Sequence, residues 1–184
     1  PLTRRFAPKL IAALDRAIAF CQSTLAYGRI AEREPRRETV AFSPIVRDVA
    51  ESLGLDEDHK VKIVETAPAQ FSIHVDREQF YRVLLNLLRN AVQVLSAPGR
   101  DGGRIRIEAR RDGETVTIDV ADDGPGVPPR LKAHLFEAFN ATAQAGGTGL
   151  GLAIAAELVQ LHGGTIVLLD SDEGAAFRIT LPGA

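Results

Sequence analysis

The sequence predicts an α+β fold in which one sheet is covered by helices, and three observations carry that prediction. A 20-residue segment, 77 to 96, is apolar on one helical face; short alternating segments flank it; and Asp112-Gly113 separates two of these as a hairpin turn would. The strands are read at 61 to 65, 71 to 75, 104 to 111, 115 to 120, 165 to 169 and 175 to 181.

Residues 4 to 33 read as one helix, with Phe6, Leu10, Leu14, Ile18, Cys21 and Leu25 along one face. Pro35 and its charged neighbours close it, and a linker is placed at 34 to 42. Ser43 and Pro44 open a short second helix, serine as a cap and proline in the first turn. Asp76 and Gln79 have capping-box spacing at the head of the long helix, which buries Phe80, Val83, Leu84, Leu87, Leu88, Ala91 and Val94 and stops before Pro98. After the central hairpin come a glycine turn, a short helix ending in LFEAF (135 to 139), a small-residue loop from 140 to 147 and a helix from 148 to 162.

Composition narrows the function. The chain has 184 residues, 45% hydrophobic and 25% charged, the balance of a globular domain with a core. Twenty-two basic against 24 acidic side chains leave a net charge of −2, so no broad basic surface for nucleic acid is expected. No apolar run reaches the roughly 20 residues of a membrane span. One cysteine, Cys21, forms no internal disulfide, and a zinc site lacks its ligands; the expected compartment is the cytoplasm, with a membrane anchor left open for a longer parent. The chain starts at Pro1 and contains no methionine, which reads as a piece of a longer protein.

Three segments carry chemistry. Asn86 and Asn90 stand four apart within a helix that asparagine disfavours, flanked by Gln79 and Gln93; they read as carbonyl donors for a hard cation or as a solvent-facing polar stripe. ADDGPGV, 121 to 127, ends a strand in carboxylates followed by Gly124 and Gly126, which suits close approach of a ligand or an Asp-rich turn. GGTGLGL, 146 to 152, runs a glycine cluster into a helix, as a phosphate site or as a hinge. It has no P-loop lysine and no preceding parallel strand.

In order, the amide pair, Asp-x-Gly-x-Gly, LFEAF and GGTGLGL resemble the N, G1, F and G2 boxes of sensor histidine kinases, over roughly 42 to 183. Residues 4 to 33, with DRAI and LAYG, resemble the second helix of that family's dimerisation and phosphotransfer hairpin. The resemblance implies a two-layer sandwich of mixed sheet and helices, with a partial hairpin at 1 to 38 and an ATP-binding domain at 39 to 184. It implies ATP with Mg2+ on Asn90 and Asn86, adenine on Asp122 with Gly124, Gly126 and Val127, and phosphates along Gly147, Thr148, Gly149, Leu150 and Gly151, with Gln93 lining the site. A response-regulator receiver domain and a second copy of the chain, joined through the N-terminal helix, are the implied partners.

Related ATPases carry a glutamate at the position of Asn86 to activate water; an amide cannot act as that base, so transfer to a histidine outside this chain is expected in place of fast hydrolysis. His59, His74, His134 and His162 lack the family's phosphoacceptor context, and His74 and His162 read as structural. The loop NATAQAGG, 140 to 147, has no cation; Gln93, Val94 and Ala175 replace the lysine, tyrosine and threonine frequent in the family; Lys132 or Arg130 is the expected substitute if the loop folds back. These departures keep an alternative open, a degenerate kinase-like scaffold or phosphorelay domain that docks a response regulator without efficient ATP use.

Overall fold

The computed structural model describes residues 34–138 and 149–183, together with Ile11, Ile18 and Cys21. Those three are helical and exposed; the rest of the helix expected over 4 to 33 lies outside the described residues, as do the 140 to 147 loop and Thr148.

The elements are β1 (Glu38–Ala41), α1 (Phe42–Ser52), β2 (Val61–Thr66), β3 (Ser72–Val75), α2 (Arg77–Leu95), β4 (Gly103–Asp112), β5 (Thr115–Asp122), α3 (Pro129–Lys132), α4 (Gly151–Leu161), β6 (Thr165–Leu169) and β7 (Ala176–Pro182). Five strands form a sheet in the order β2-β4-β5-β7-β6, with β2 and β4 parallel and the other neighbours antiparallel. β1 and β3 pair antiparallel in a second, two-stranded sheet. The mixed sheet with its helices is the α+β sandwich that the sequence predicts.

Period-two alternation sets the two faces of the large sheet. Ile105, Ile107, Ile118, Val120, Phe177 and Ile179 are buried in the core with the helices. The opposite face carries charge: Asp119 on β5 accepts two bonds from its β7 neighbour Arg178 (2.7 and 2.8 Å) and one from Arg110 on β4 (3.0 Å).

α1 buries Phe42, Ile45, Val46 and Val49 at helical spacing. Its start corrects two expectations. The linker placed at 34 to 42 contains strand β1, because Glu38 to Ala41 find partners on β3. Ser43 is not the cap: it lies inside the helix and its hydroxyl donates to Glu65, while the Phe42 N–H is satisfied by the Phe71 carbonyl at 3.0 Å. The helix ends in a Schellman motif, with Gly54 at φ 68 and the Leu55 N–H on the Ala50 carbonyl at 3.0 Å.

α2 starts as expected, the Asp76 carboxylate accepting the Gln79 N–H at 3.1 Å. At its other end Leu95, fully buried, takes the core position expected for Val94, which is half-buried and looks toward the glycines after β5. The central turn is shifted by one residue. Asp112 pairs with Thr115, so Gly113-Glu114 form the two-residue loop, and Gly113 at φ 57 supplies the positive φ that a type II′ turn needs first. The short helix expected to end in LFEAF stops at Lys132. Three-residue turn bonds, His134 to Leu131 and Glu137 to His134, replace helical ones while Phe136 packs edge-on to Phe177 at 6.3 Å. α4 begins at Gly151, not 148, because Gly149 is left-handed at φ 70.

Candidate functional site

Asp122 is the last residue of β5 and only 9% exposed. Its Oδ1 accepts the Gly124 N–H at 2.9 Å and the Ala175 N–H at 3.4 Å, and its own N–H donates to the Ala175 carbonyl at 2.9 Å. Burial pushes the carboxyl above its ordinary value, the Gly124 and Ala175 N–H groups pull it back, and Asp123 adds a smaller push upward. Asp123 is exposed and structural: its Oδ1 accepts the Arg104 N–H at 2.8 Å, and its carbonyl accepts from Arg100 at 2.9 Å. The two neighbouring aspartates therefore do different work, and Asp122 is the buried one.

The glycines around Asp122 are shaped by contact. A Cβ on Gly124 would stand 2.5 Å from the Asp122 Oδ1 and 3.0 Å from the Val94 Cγ1 of α2. Gly126, at φ 76, lies against the Gly174 carbonyl, 2.8 Å from where its Cβ would be. Val127 is half-buried against the core.

Asn86, Asn90 and Val94 follow one another at four-residue spacing, so they form a single line on α2 about 12 Å long. Val94 ends that line at Gly124. Asn86 begins it at Gly151, where an added Cβ would meet the Asn86 Oδ1 at 3.4 Å. Asn90 lies between them, half-buried, with Gln93 one residue from Val94. Leu150, fully buried, anchors the start of α4, and among the described residues no side chain caps that helix. The first N–H groups of an α-helix have no partner within the helix, which suits an anion.

Of the sequence-derived candidates, the structure brings Asn86 to Gly151 and Gly124 to Asp122 and to Val94 of α2, with Asn90 between them on the helix and Gly126 against Gly174; Gly147 and Thr148 lie outside the described residues. Lys132 stands 3.8 Å from Asp170 on the β6–β7 turn. Sequence reasoning missed Gly174. Its signal was faint, a glycine closing the polar turn Ser171-Asp172-Glu173, and its importance comes from packing on Asp122.

A mixed sheet under helices, with a buried carboxylate at a strand end and an amide line on the facing helix, is the α+β sandwich of the ATPase type. The model of the histidine kinase-, DNA gyrase B- and HSP90-like ATPase family matches residues 75–184, and the chain belongs to that family. Its relatives are sensor histidine kinases. It is 46% identical over 114 residues to the sensor protein KdpD of Escherichia coli, covering 60% of this chain and 12% of KdpD. It is 35% identical over 153 residues to the nitrogen regulation protein NtrY of Azorhizobium caulinodans, covering 80% of this chain and 20% of NtrY. The chain thus spans a fifth or less of these relatives. Full-length ShkA, solved in complex with AMPPNP, superposes with a TM-score of 0.78 at 29% identity, over 100% of this chain and 39% of that one.

Proposed function

We propose that this chain is the ATP-binding catalytic portion of a two-component sensor histidine kinase and presents the ATP γ-phosphate to a histidine outside the chain. The observation that supports it most is the single α2 line from Gly151 to Gly124, which joins the start of α4 to the buried Asp122 carboxylate. Asp122 accepts the adenine amino group, with Gly124, Gly126 and Val127 beside the ring. The backbone of Gly147 to Gly151 and Thr148 take the phosphates, and Gln93 lines the wall.

Asn90 and Asn86 would hold Mg2+. The fit is chemical: amide oxygens are hard donors, and no cluster of three His, Cys, Asp or Glu exists among the described residues, so the ion would be shared with the phosphates, as Mg2+ prefers. When bound it neutralises phosphate charge. The rest is positioning. The γ-phosphorus to bridging-oxygen bond breaks, an imidazole nitrogen forms the new bond to phosphorus, and ADP leaves. Asn86 provides no base to activate water, which favours the histidine acceptor over hydrolysis. The phosphoryl group would pass to a response-regulator receiver domain, and the exposed helical Ile11 and Ile18 suit pairing with a second copy. No helix of the described residues is long and apolar enough to cross a membrane.

Calorimetric titration with ATP and ADP, with and without Mg2+, tests the pocket without the acceptor. Magnesium-dependent binding is the expected result; a folded chain that binds neither nucleotide overturns the reading. The cation-free sequence NATAQAGG favours a second reading, a scaffold or relay that docks a response regulator. Acid-labile phosphohistidine in the full-length parent given Mg-ATP eliminates that version.

A further inference from the structure

α4 reaches the site at Gly151 and ends at His162, and its far end holds a hydrogen-bonded joint that no role above uses. His162 is 2% exposed. Its Nε2 accepts the Asp76 N–H at 3.0 Å, so Nδ1 carries the proton and donates to the Leu158 carbonyl at 2.7 Å. Asp76 is also the cap of α2, and its second carboxylate oxygen accepts the Arg36 N–H at 3.0 Å. Arg37 donates to the Leu161 carbonyl at 2.9 Å, at the C-terminal end of α4. Three bonds, Asp76 to His162, Arg36 to Asp76 and Arg37 to Leu161, therefore tie the segment before β1, the start of α2 and the end of α4 together.

The two helices run antiparallel from that joint. Ten residues along α2, Asn86 is reached; eleven residues back along α4, Gly151 is reached; each path is about 15 to 17 Å, and the two residues meet. The buried residues of α4 are Ala153, Ile154, Ala155, Ala156, Leu158 and Val159, half of them alanines. Apolar contact is non-directional, and shallow alanine surfaces oppose sliding weakly. The bond from Asp76 to His162 is directional.

We propose that His162 is a positioning residue that sets the register of α4 on α2, hence the approach of Gly151 to Asn86, and links that register to the segment entering the domain at Arg36 and Arg37. Its effect on nucleotide rests on the ATP-binding reading above; the register itself does not. The charged groups that bear on the ring are Arg37, from the incoming segment, and Asp76, from the cap of α2. Protonation of Nε2 would turn an acceptor into a donor facing the Asp76 N–H and break the joint.

The test is the side-chain amide resonance of Asn86 in the full chain, followed by NMR in wild type, His162→Leu and His162→Gln, alongside ATP titration. His162→Leu is expected to move the Asn86 signal and weaken ATP binding severalfold, whereas glutamine, which keeps an acceptor, restores both. As pH falls below 6.5, the wild-type Asn86 signal should follow the titration of His162, and this response should vanish in His162→Gln. An unmoved Asn86 signal in folded His162→Leu overturns the proposal. Should that variant not fold, a wild-type Asn86 signal that ignores His162 protonation overturns it equally. Wild-type protein that binds no ATP sinks the nucleotide reading while the resonance still decides the joint.

Discussion

A side chain on Gly174 would stand 1.7 Å from the backbone oxygen of Asp122 and 2.9 Å from its carboxylate. The β6–β7 turn is thus pressed against the end of β5, and the turn that carries Gly174 also delivers the Ala175 N–H to the Asp122 carboxylate.

Gly174→Ala combines that clash with a left-handed φ of 64. It is expected to cost about 3 kcal/mol or more, since backbone must move, and to abolish nucleotide binding in any fraction that remains folded. Gly54→Ala is the control: φ is 68 but an added Cβ meets nothing within 4 Å, so only the conformational term, about 1 kcal/mol, should appear. Denaturant melts of the two variants check the difference.

Asp122→Asn should separate stability from function. The folded carboxyl titrates above 3.8, so between 3.8 and that raised value the folded state holds more protons than the unfolded one, and stability falls as pH rises. The amide removes that cost and can still accept from Gly124 and Ala175. Melts from pH 4 to 7 should show equal or greater stability in the variant at neutral pH, while calorimetry shows ATP affinity down at least about tenfold.

Arg178→Ala should cost about 1 kcal/mol at neutral pH, since Arg178 is partly exposed and Arg110 still serves Asp119. Arg178 is the main reason the Asp119 carboxyl titrates below 3.8 in the folded state; its contribution is full above 3.8 and fades as pH falls through the depressed value. Wild-type and variant melting curves are expected to converge at the acid end.

His162 acts in the same direction at higher pH. Burial, the largest cause, and Arg37 hold the folded ring below 6.5, so the unfolded chain takes up protons first. Stability is full above 6.5 and declines as pH falls from there to the lowered value. Chemical denaturation between pH 5 and 8 should show the decline in wild type and flatten it in His162→Gln.

Elements with a strong local signal were legible in the sequence. The α2 stripe and its Asp76 cap, the alternating strands and the glycine-flanked Asp122 depend on neighbours a few residues away. Much of what was misread depended on distant partners. β1 looked like linker because its pairing with β3 spans more than thirty residues, and Ser43 looked like a cap because Glu65, which takes its hydroxyl, is 22 residues on. Val94 and Leu95 are both apolar, and only the position of Gly124 decides which of them faces the site.

By itself the sequence determined the α+β class, the order of the elements apart from β1 and the residue types offered to a nucleotide, because periodicity, caps and glycines act over one or two turns of chain. Tertiary structure decided which of those residues meet: Asn86 with Gly151, Gly174 with Asp122 and His162 with Asp76, the last two pairs separated by 52 and 86 residues. Such contacts arise only when the apolar faces of α2 and α4 are buried on the sheet, and a chain's local pattern does not encode the register in which two buried faces settle.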